Sequence, residues 1–152
     1  MNINQVRKIN KWKKKGYSIG VCNGCFDLLH QGHVYLIKKA KKKCKKLVVL
    51  INTDESVQKI KGNKRPIENH FLRKKKLLKL KEVDDVFFFS ETTPLRIIKD
   101  IKPKFLFKGT EYKFKHISGR NFIKKNGGKV ILIKKFKNFS TTSIIKQKNL
   151  KK

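Results

Sequence analysis

Acidic side chains are scarce in this 152-residue chain: ten, against 41 lysines and arginines, for a formal net charge of +31. Taken alone, that excess points to a polyanionic partner, nucleic acid or an anionic membrane surface. A second scarcity changes the reading. Ala40 is the only alanine and only five of the 41 basic residues are arginine, while Lys, Asn, Ile and Phe are abundant. That usage fits an AT-rich genome, and the lysines are spread along the whole chain instead of gathering on one segment. A nucleic-acid-binding protein needs a basic stripe or exposed aromatics. Neither is visible, because most aromatics fall inside apolar runs such as Val86-Phe87-Phe88-Phe89. The charge therefore reads as compositional bias, although its field would still draw in polyanionic substrates such as nucleotides.

Three cysteines, an odd number, provide no disulfide framework and suit a reducing, cytoplasmic compartment. No apolar run approaches the roughly 20 residues needed to span a membrane. Met1-Asn2-Ile3-Asn4-Gln5 lacks the apolar block of a signal peptide, so no membrane partner is expected. There is no internal repeat. The length suits one domain with a real core, expected over residues 1–152.

What the chain does have is five short apolar runs alternating with helical patterns. Val6, Ile9 and Trp12 predict a first helix, and Ser18 to Asn23 a first strand. Val34, Ile37, Ala40 and Cys44 predict a helix ending at Lys41-Lys42-Lys43. Leu47 to Ile51 reads as a strand buried on both faces, followed by Asn52-Thr53-Asp54 as the cap of a short helix through Gln58. Lys59 to Pro66 reads as a mobile loop, Phe71 to Glu82 as a helix, and Val86 to Phe89 as a strand. Thr93-Pro94 reads as N-cap and first helical position, with Ile97, Ile98 and Ile101 as the buried stripe. Phe105 to Phe107 is the fourth strand, and His116 to Asn126 a helix stopped by Gly127-Gly128. Val130 to Ile133 is the fifth strand, after which Ser140-Thr141-Thr142 caps a last helix carrying Ile144 and Ile145. The alternation predicts an α/β fold with a mostly parallel sheet, whose ligands bind beyond the strand C-terminal ends.

The chemistry concentrates in Asn23-Gly24-Cys25-Phe26-Asp27-Leu28-Leu29-His30-Gln31-Gly32-His33, between the first strand and the next helix. Gly24 permits close approach of backbone to a ligand. His30 and His33 lie three apart at the helix start and can face one point, while Gln31-Gly32-His33 offer free N–H groups at a positive helix end. That combination suits phosphate. Cys22-Asn-Gly-Cys25 also has the spacing of a redox dithiol, but Cys22 belongs to the apolar strand run. Cys22, Cys25, His30 and His33 could be taken for a zinc set, yet the gap between the pairs is far shorter than the roughly 12–15 residues of a finger.

His-x-Gly-His after Gly-x-Phe-Asp resembles the signature of the cytidylyltransferase-like nucleotidyltransferases. Lys61-Gly62 with Arg65-Pro66, the Thr93-Pro94 helix, Lys108-Gly109-x-Glu111-Tyr112, Gly127-Gly128 and Ser140-Thr141-Thr142-x-Ile144-Ile145 follow in family order. Together they look like the adenylyltransferases that make ADP-heptose from D-glycero-β-D-manno-heptose 1-phosphate and ATP, in lipopolysaccharide biosynthesis. Glycerol-3-phosphate cytidylyltransferases share the histidines and the Ser-Thr-Thr cap but usually lead into it with Arg-Thr-x-Gly. Here the lead is Phe136-Lys137-Asn138-Phe139. Phe71-Leu72 stand before Arg73 where the heptose enzymes usually have Glu-Gln.

The resemblance implies a Rossmann-like, doubly wound five-stranded parallel sheet and in-line adenylyl transfer from ATP to a phosphorylated sugar. His30, His33, Lys61 and Arg65 would act on the reacting phosphates. Gly24, Cys25, Phe26, Lys108, Gly109 and Glu111 would flank the nucleoside, and Ser140, Thr141 and Thr142 would hold the β- and γ-phosphates. Asp27 would brace the turn through backbone N–H groups. Mg²⁺ is expected on the triphosphate, held by ATP oxygens and water, with no protein metal ligands. A monomer and a homodimer both remain open, as does a basic nucleic-acid-binding protein as the reading from another class.

Overall fold

The computed structural model describes residues 1–110 and 113–134. Glu111, Tyr112, Ser140, Thr141, Thr142 and the expected last helix lie outside the described residues.

Helix α1 (Ile3–Lys14) starts at a reciprocal cap: Asn2 Oδ1 accepts from the Gln5 N–H and Gln5 Oε1 from the Asn2 N–H, each at 2.9 Å. Strand β1 (Ile19–Gly24) leads to α2 (Gln31–Lys41) and β2 (Lys46–Asn52). Then come α3 (Asp54–Lys61), α4 (His70–Leu78), β3 (Asp85–Phe89), α5 (Leu95–Ile101) and β4 (Phe105–Gly109). A 3-10 turn (Phe114–His116), α6 (Arg120–Lys125) and β5 (Lys129–Ile133) complete the described chain.

The five strands pair in the order β3-β2-β1-β4-β5, all parallel, with Val21 level with Val48 on one side and Leu106 on the other. Alternation along the strands divides the core in two. Ile19, Val21, Val48, Leu50, Phe87 and Leu106 pack under Ile9 of α1, Ile97, Ile98 and Ile101 of α5, and Ile123 of α6. Cys22, Leu47, Val49, Ile51, Val86 and Phe107 pack under Ile37 and Ala40 of α2 and Leu77 of α4. This is the expected doubly wound sheet, and its strand order reverses between β1 and β4, where such folds open a crevice. Gly20 lets the segment after α2 settle onto β1: a Cβ there would lie 2.6 Å from both Cys44 Sγ and the Phe107 ring.

Four local expectations are corrected. Lys59 to Lys61 is the last turn of α3 rather than loop, because Thr53 caps the helix and Asp54 and Glu55 favour its first turn until Gly62 ends it. Helix α4 is shorter than expected, opened by Asn69 accepting from the Leu72 N–H at 2.9 Å. Pro94, not Thr93, is the boundary residue of α5 and contributes only its carbonyl, to the Ile98 N–H at 2.9 Å. The expected helix from His116 to Asn126 is divided by Gly119 in a left-handed conformation (φ 86°), where an added Cβ would press to 3.1 Å on Ile98.

Candidate active site

The C-terminal edge of the sheet opens into a cleft of about 570 Å³. Gly24, Cys25, Phe26, His30, His33, Lys61, Arg65, Lys108 and Gly109 all line it.

After Gly24 the chain leaves β1 through a strained turn, with Phe26 and Leu28 both at positive φ (49° and 56°). A Cβ on Gly24 would meet the Phe26 ring at 3.3 Å, so this glycine also makes room for that ring. Phe26 in turn abuts His33, their ring centroids 4.9 Å apart. His30 is the boundary residue of α2, and His33 follows in its first turn. The two imidazoles stack with centroids 3.7 Å apart and planes 20° from parallel. Burial, reinforced by His30, pushes the His33 pKa down to about 3, so its ring is neutral near pH 7. Its Nδ1 is buried without a hydrogen-bond partner. A neutral imidazole still has one N–H to donate, which a phosphate oxygen can accept.

Asp27 is 1 % exposed. It accepts from backbone N–H groups as expected, but from the segment after α3: Ile67 N at 3.0 Å and Glu68 N at 3.0 Å. It also accepts from Arg65 Nε at 2.6 Å. Arg65 is therefore anchored by the β1 turn while lining the cleft, and the segment between α3 and α4 is tied down at its middle. Lys61 stands exposed at the end of α3 on the same rim.

Sequence reasoning left Arg73 without a role. It lies fully buried, and its guanidinium donates to the carbonyls of Cys25 (2.6 Å), Asn52 (2.8 Å) and Glu68 (2.9 Å) and to Asp54 Oδ1 (2.7 Å). One side chain thus joins the ends of β1 and β2 to the starts of α3 and α4. Nothing local in the sequence marks such a convergence. Asn23, the first residue of the stretch singled out in the sequence, lines the cleft too, and Tyr35, Thr92, His116, Ser118 and Lys134 are unforeseen on its wall. Lys108 is 7 % exposed, and its Nζ donates to the Asn23 carbonyl at 3.2 Å across the β1–β4 seam.

Cys22 and Cys44 are buried and placed for packing, whereas Cys25 is partly exposed on the cleft wall. Cys22 is buried in the α2-side core, and that burial pushes its thiol up to about 12. Burial also raises Cys25, whose Sγ lies 3.8 Å from Asn52 Oδ1. A redox dithiol needs an accessible, acidic thiol, which neither provides. Among the described residues no three His, Cys, Asp or Glu side chains gather as a metal-binding set. None of the described helices is long and apolar enough to cross a membrane.

A family model described as cytidylyltransferase-like matches residues 21–148. The bifunctional protein HldE of Paramagnetospirillum magneticum is 43% identical over 141 residues, 93% of this chain and 29% of that protein. HldE of Nitrobacter winogradskyi is 42% identical over 139 residues, 91% of this chain and 28% of the relative. The chain thus spans less than a third of the length of these relatives. Among solved structures, a lipopolysaccharide core biosynthesis protein from Thermoplasma volcanium superposes with a TM-score of 0.65 at 27% identity, covering 82% of this chain and all of that one. A pantoate-beta-alanine ligase from Francisella tularensis superposes with a TM-score of 0.61 at 20% identity, over 98% of this chain and 76% of its own, a likeness of fold.

Proposed function

The chain belongs to the cytidylyltransferase-like family, and from that premise we propose that it transfers AMP from ATP to a sugar 1-phosphate, D-glycero-β-D-manno-heptose 1-phosphate, giving ADP-heptose and pyrophosphate. The observation that carries this reading is the stacked His30–His33 pair at the N-terminus of α2, set in a cleft at the reversal of strand order.

A sugar-phosphate oxygen attacks the α-phosphorus of ATP in line. A new P–O bond forms, the α–β bridging P–O bond breaks, and pyrophosphate leaves with the electron pair. The attacking oxygen is already anionic near neutral pH, so the protein's task is to hold two polyanions together and to neutralise charge developing on the α-phosphate. His30 and His33 donate to the α-phosphate and the bridging oxygen. The neutral state of His33 suits hydrogen-bond donation without proton transfer. The first-turn N–H groups of α2 favour the same anion. Lys61 and the N–H groups of Arg65 not engaged by Asp27 add positive charge from the rim. Gly24 to Phe26 and Lys108 to Gly109 flank the nucleoside. In this reading Glu111 completes that flank, and Ser140, Thr141 and Thr142 hold the β- and γ-phosphates.

Among the described residues the donor set does not make a magnesium cage. Asp27, their carboxylate lining the cleft, accepts from Arg65 and two backbone N–H groups. Mg²⁺ would travel on the triphosphate oxygens.

The test is a pyrophosphate-release screen of ATP and CTP against phosphorylated acceptors. Turnover with ATP and heptose 1-phosphate is expected. Better turnover with CTP and glycerol 3-phosphate would move the chain to the cytidylyltransferase branch. Salt-sensitive DNA binding without turnover would replace the enzyme reading altogether.

A further inference from the structure

The cleft has two chemically different walls. Residues 19, 21 and 23 of β1 point to one face of the sheet, the one covered by α1, α5 and α6, since Ile19 and Val21 both belong to that core. His30 and His33 belong to α2, which covers the opposite face. The histidine wall suits phosphate. On the other face, at the end of β1, stands Asn23, with Thr92 and Thr93 of the β3–α5 connection lining the same cleft.

Asn23 carries an unmet demand. Its Oδ1 is buried and has no hydrogen-bond partner. A buried amide oxygen left unpaired costs about 1–3 kcal/mol, so such an atom on a ligand-binding wall is matched by a donor on the ligand. A phosphate near neutral pH offers oxygen acceptors and almost no donors, so the triphosphate cannot meet it. Hydroxyl groups can. The β4 side of the cleft, at Lys108 and Gly109, is the side the proposed reaction gives to the nucleoside. The β2–β3 side, where Thr92 and Thr93 add hydroxyls that both donate and accept, is left for the second substrate, and Asn23 stands on β1 at the boundary between the two sides.

Resting on the nucleotidyltransferase reading above, we propose that Asn23, with Thr92 and Thr93, forms a hydroxyl-reading subsite for a polyhydroxylated acceptor, Asn23 Oδ1 accepting a hydrogen bond from a sugar hydroxyl. The sequence places Asn23 at the strand end that opens the histidine stretch and Thr93 at a helix entry, with nothing to join them. Their shared wall follows from strand order, which sets the turn after β3 beside the end of β1, with β2 between.

The experiment measures pyrophosphate release by the wild-type chain, Asn23→Ala and Thr93→Val. ATP is paired with heptose 1-phosphate, or with whichever sugar 1-phosphate the wild type turns over best, and with its monodeoxy analogues. Asn23→Ala should raise the KM of the acceptor about tenfold, the scale of one buried hydrogen bond, and leave the KM of ATP unchanged. One monodeoxy analogue should be penalised by the same factor with the wild type and not with Asn23→Ala. Equal changes in both KM values, or deoxy penalties identical in variant and wild type, would overturn the subsite while leaving the reaction in place. If Asn23→Ala fails to fold, Thr93→Val is judged by the same KM comparison. A wild type that releases no pyrophosphate with any sugar phosphate overturns the parent reading, and the subsite with it.

Discussion

Arg65 Nη2 lies 2.6 Å from Asp27 Oδ2, joining the segment between α3 and α4 to the turn that follows β1. The carboxylate is 1 % exposed, and this guanidinium and the Ile67 and Glu68 N–H groups all bear on its charge. A rim residue the sequence would leave on a mobile loop is thereby pre-positioned beside the histidines.

Asp27→Ala removes one partner of a buried pair and strands the Arg65 charge. The expected loss in urea unfolding is about 3–5 kcal/mol. Asp27→Asn keeps an acceptor oxygen for the backbone and should lose less. Unchanged unfolding midpoints for Asp27→Ala would sink the assignment of this carboxylate as the anchor of residues 65–68.

Truncating either histidine tests the chemistry. His30→Ala or His33→Ala should lower kcat by about 10²–10³, the cost of one transition-state donor, with cooperative thermal unfolding retained. Near-normal turnover in either variant would mean that the phosphates react elsewhere.

The buried imidazole also predicts a pH dependence of stability. Burial and His30 hold the folded-state pKa of His33 near 3, against an ordinary 6.5. Between those values the unfolded chain binds a proton that the folded chain does not. The stabilising effect of a neutral His33 is therefore complete above pH 6.5 and is lost as pH falls toward 3, by about 1.4 kcal/mol per pH unit. His33→Gln cannot take up that proton. Its unfolding free energy between pH 6.5 and 5 should be flatter than that of the wild type, and parallel curves would refute the buried, neutral state.

Arg73→Lys keeps the charge but cannot reproduce the planar fork. An ammonium has three donors, whereas Arg73 serves three carbonyls and Asp54. Breaking this buried network should cost about 3 kcal/mol or more, read by urea unfolding. A neutral result would show that water replaces the lost bonds.

Cys25→Ser should keep near-wild-type turnover, since the thiol is raised by burial and joins no metal set among the described residues. Loss of activity on substitution or chelation, restored by zinc, would reverse this.

The five strands were legible because each is a continuous apolar run, which a strand covered on both faces requires. The histidine pair was legible because its spacing is local. The helix boundaries at Lys61, Pro94 and Gly119 were not. The Lys59–Lys61 turn is solvated and shows no apolar period, Pro94 contributes only a carbonyl, and Gly119 is shaped by Ile98 from another helix. Arg73 and the Asp27–Arg65 pair were illegible for a different reason. Apart from the Glu68 carbonyl, their side-chain and carbonyl partners lie 19 to 48 residues away, and no short-range pattern encodes such a distance.

The crevice between β1 and β4 carries a consequence for synthesis. Lys108 reaches the Asn23 carbonyl across a sequence separation of 85 residues. Until Phe105 to Phe107 have left the ribosome, one margin of β1 has no partner, and its Gly20, Val21 and Cys22 backbone groups stay open to pairing with another strand. The nascent protein thus exposes an unpaired ribbon along the line that later borders the cleft. An open sheet edge of this kind is a template for pairing with another chain, and arrival of β4 closes it and completes that side of the cleft in one event.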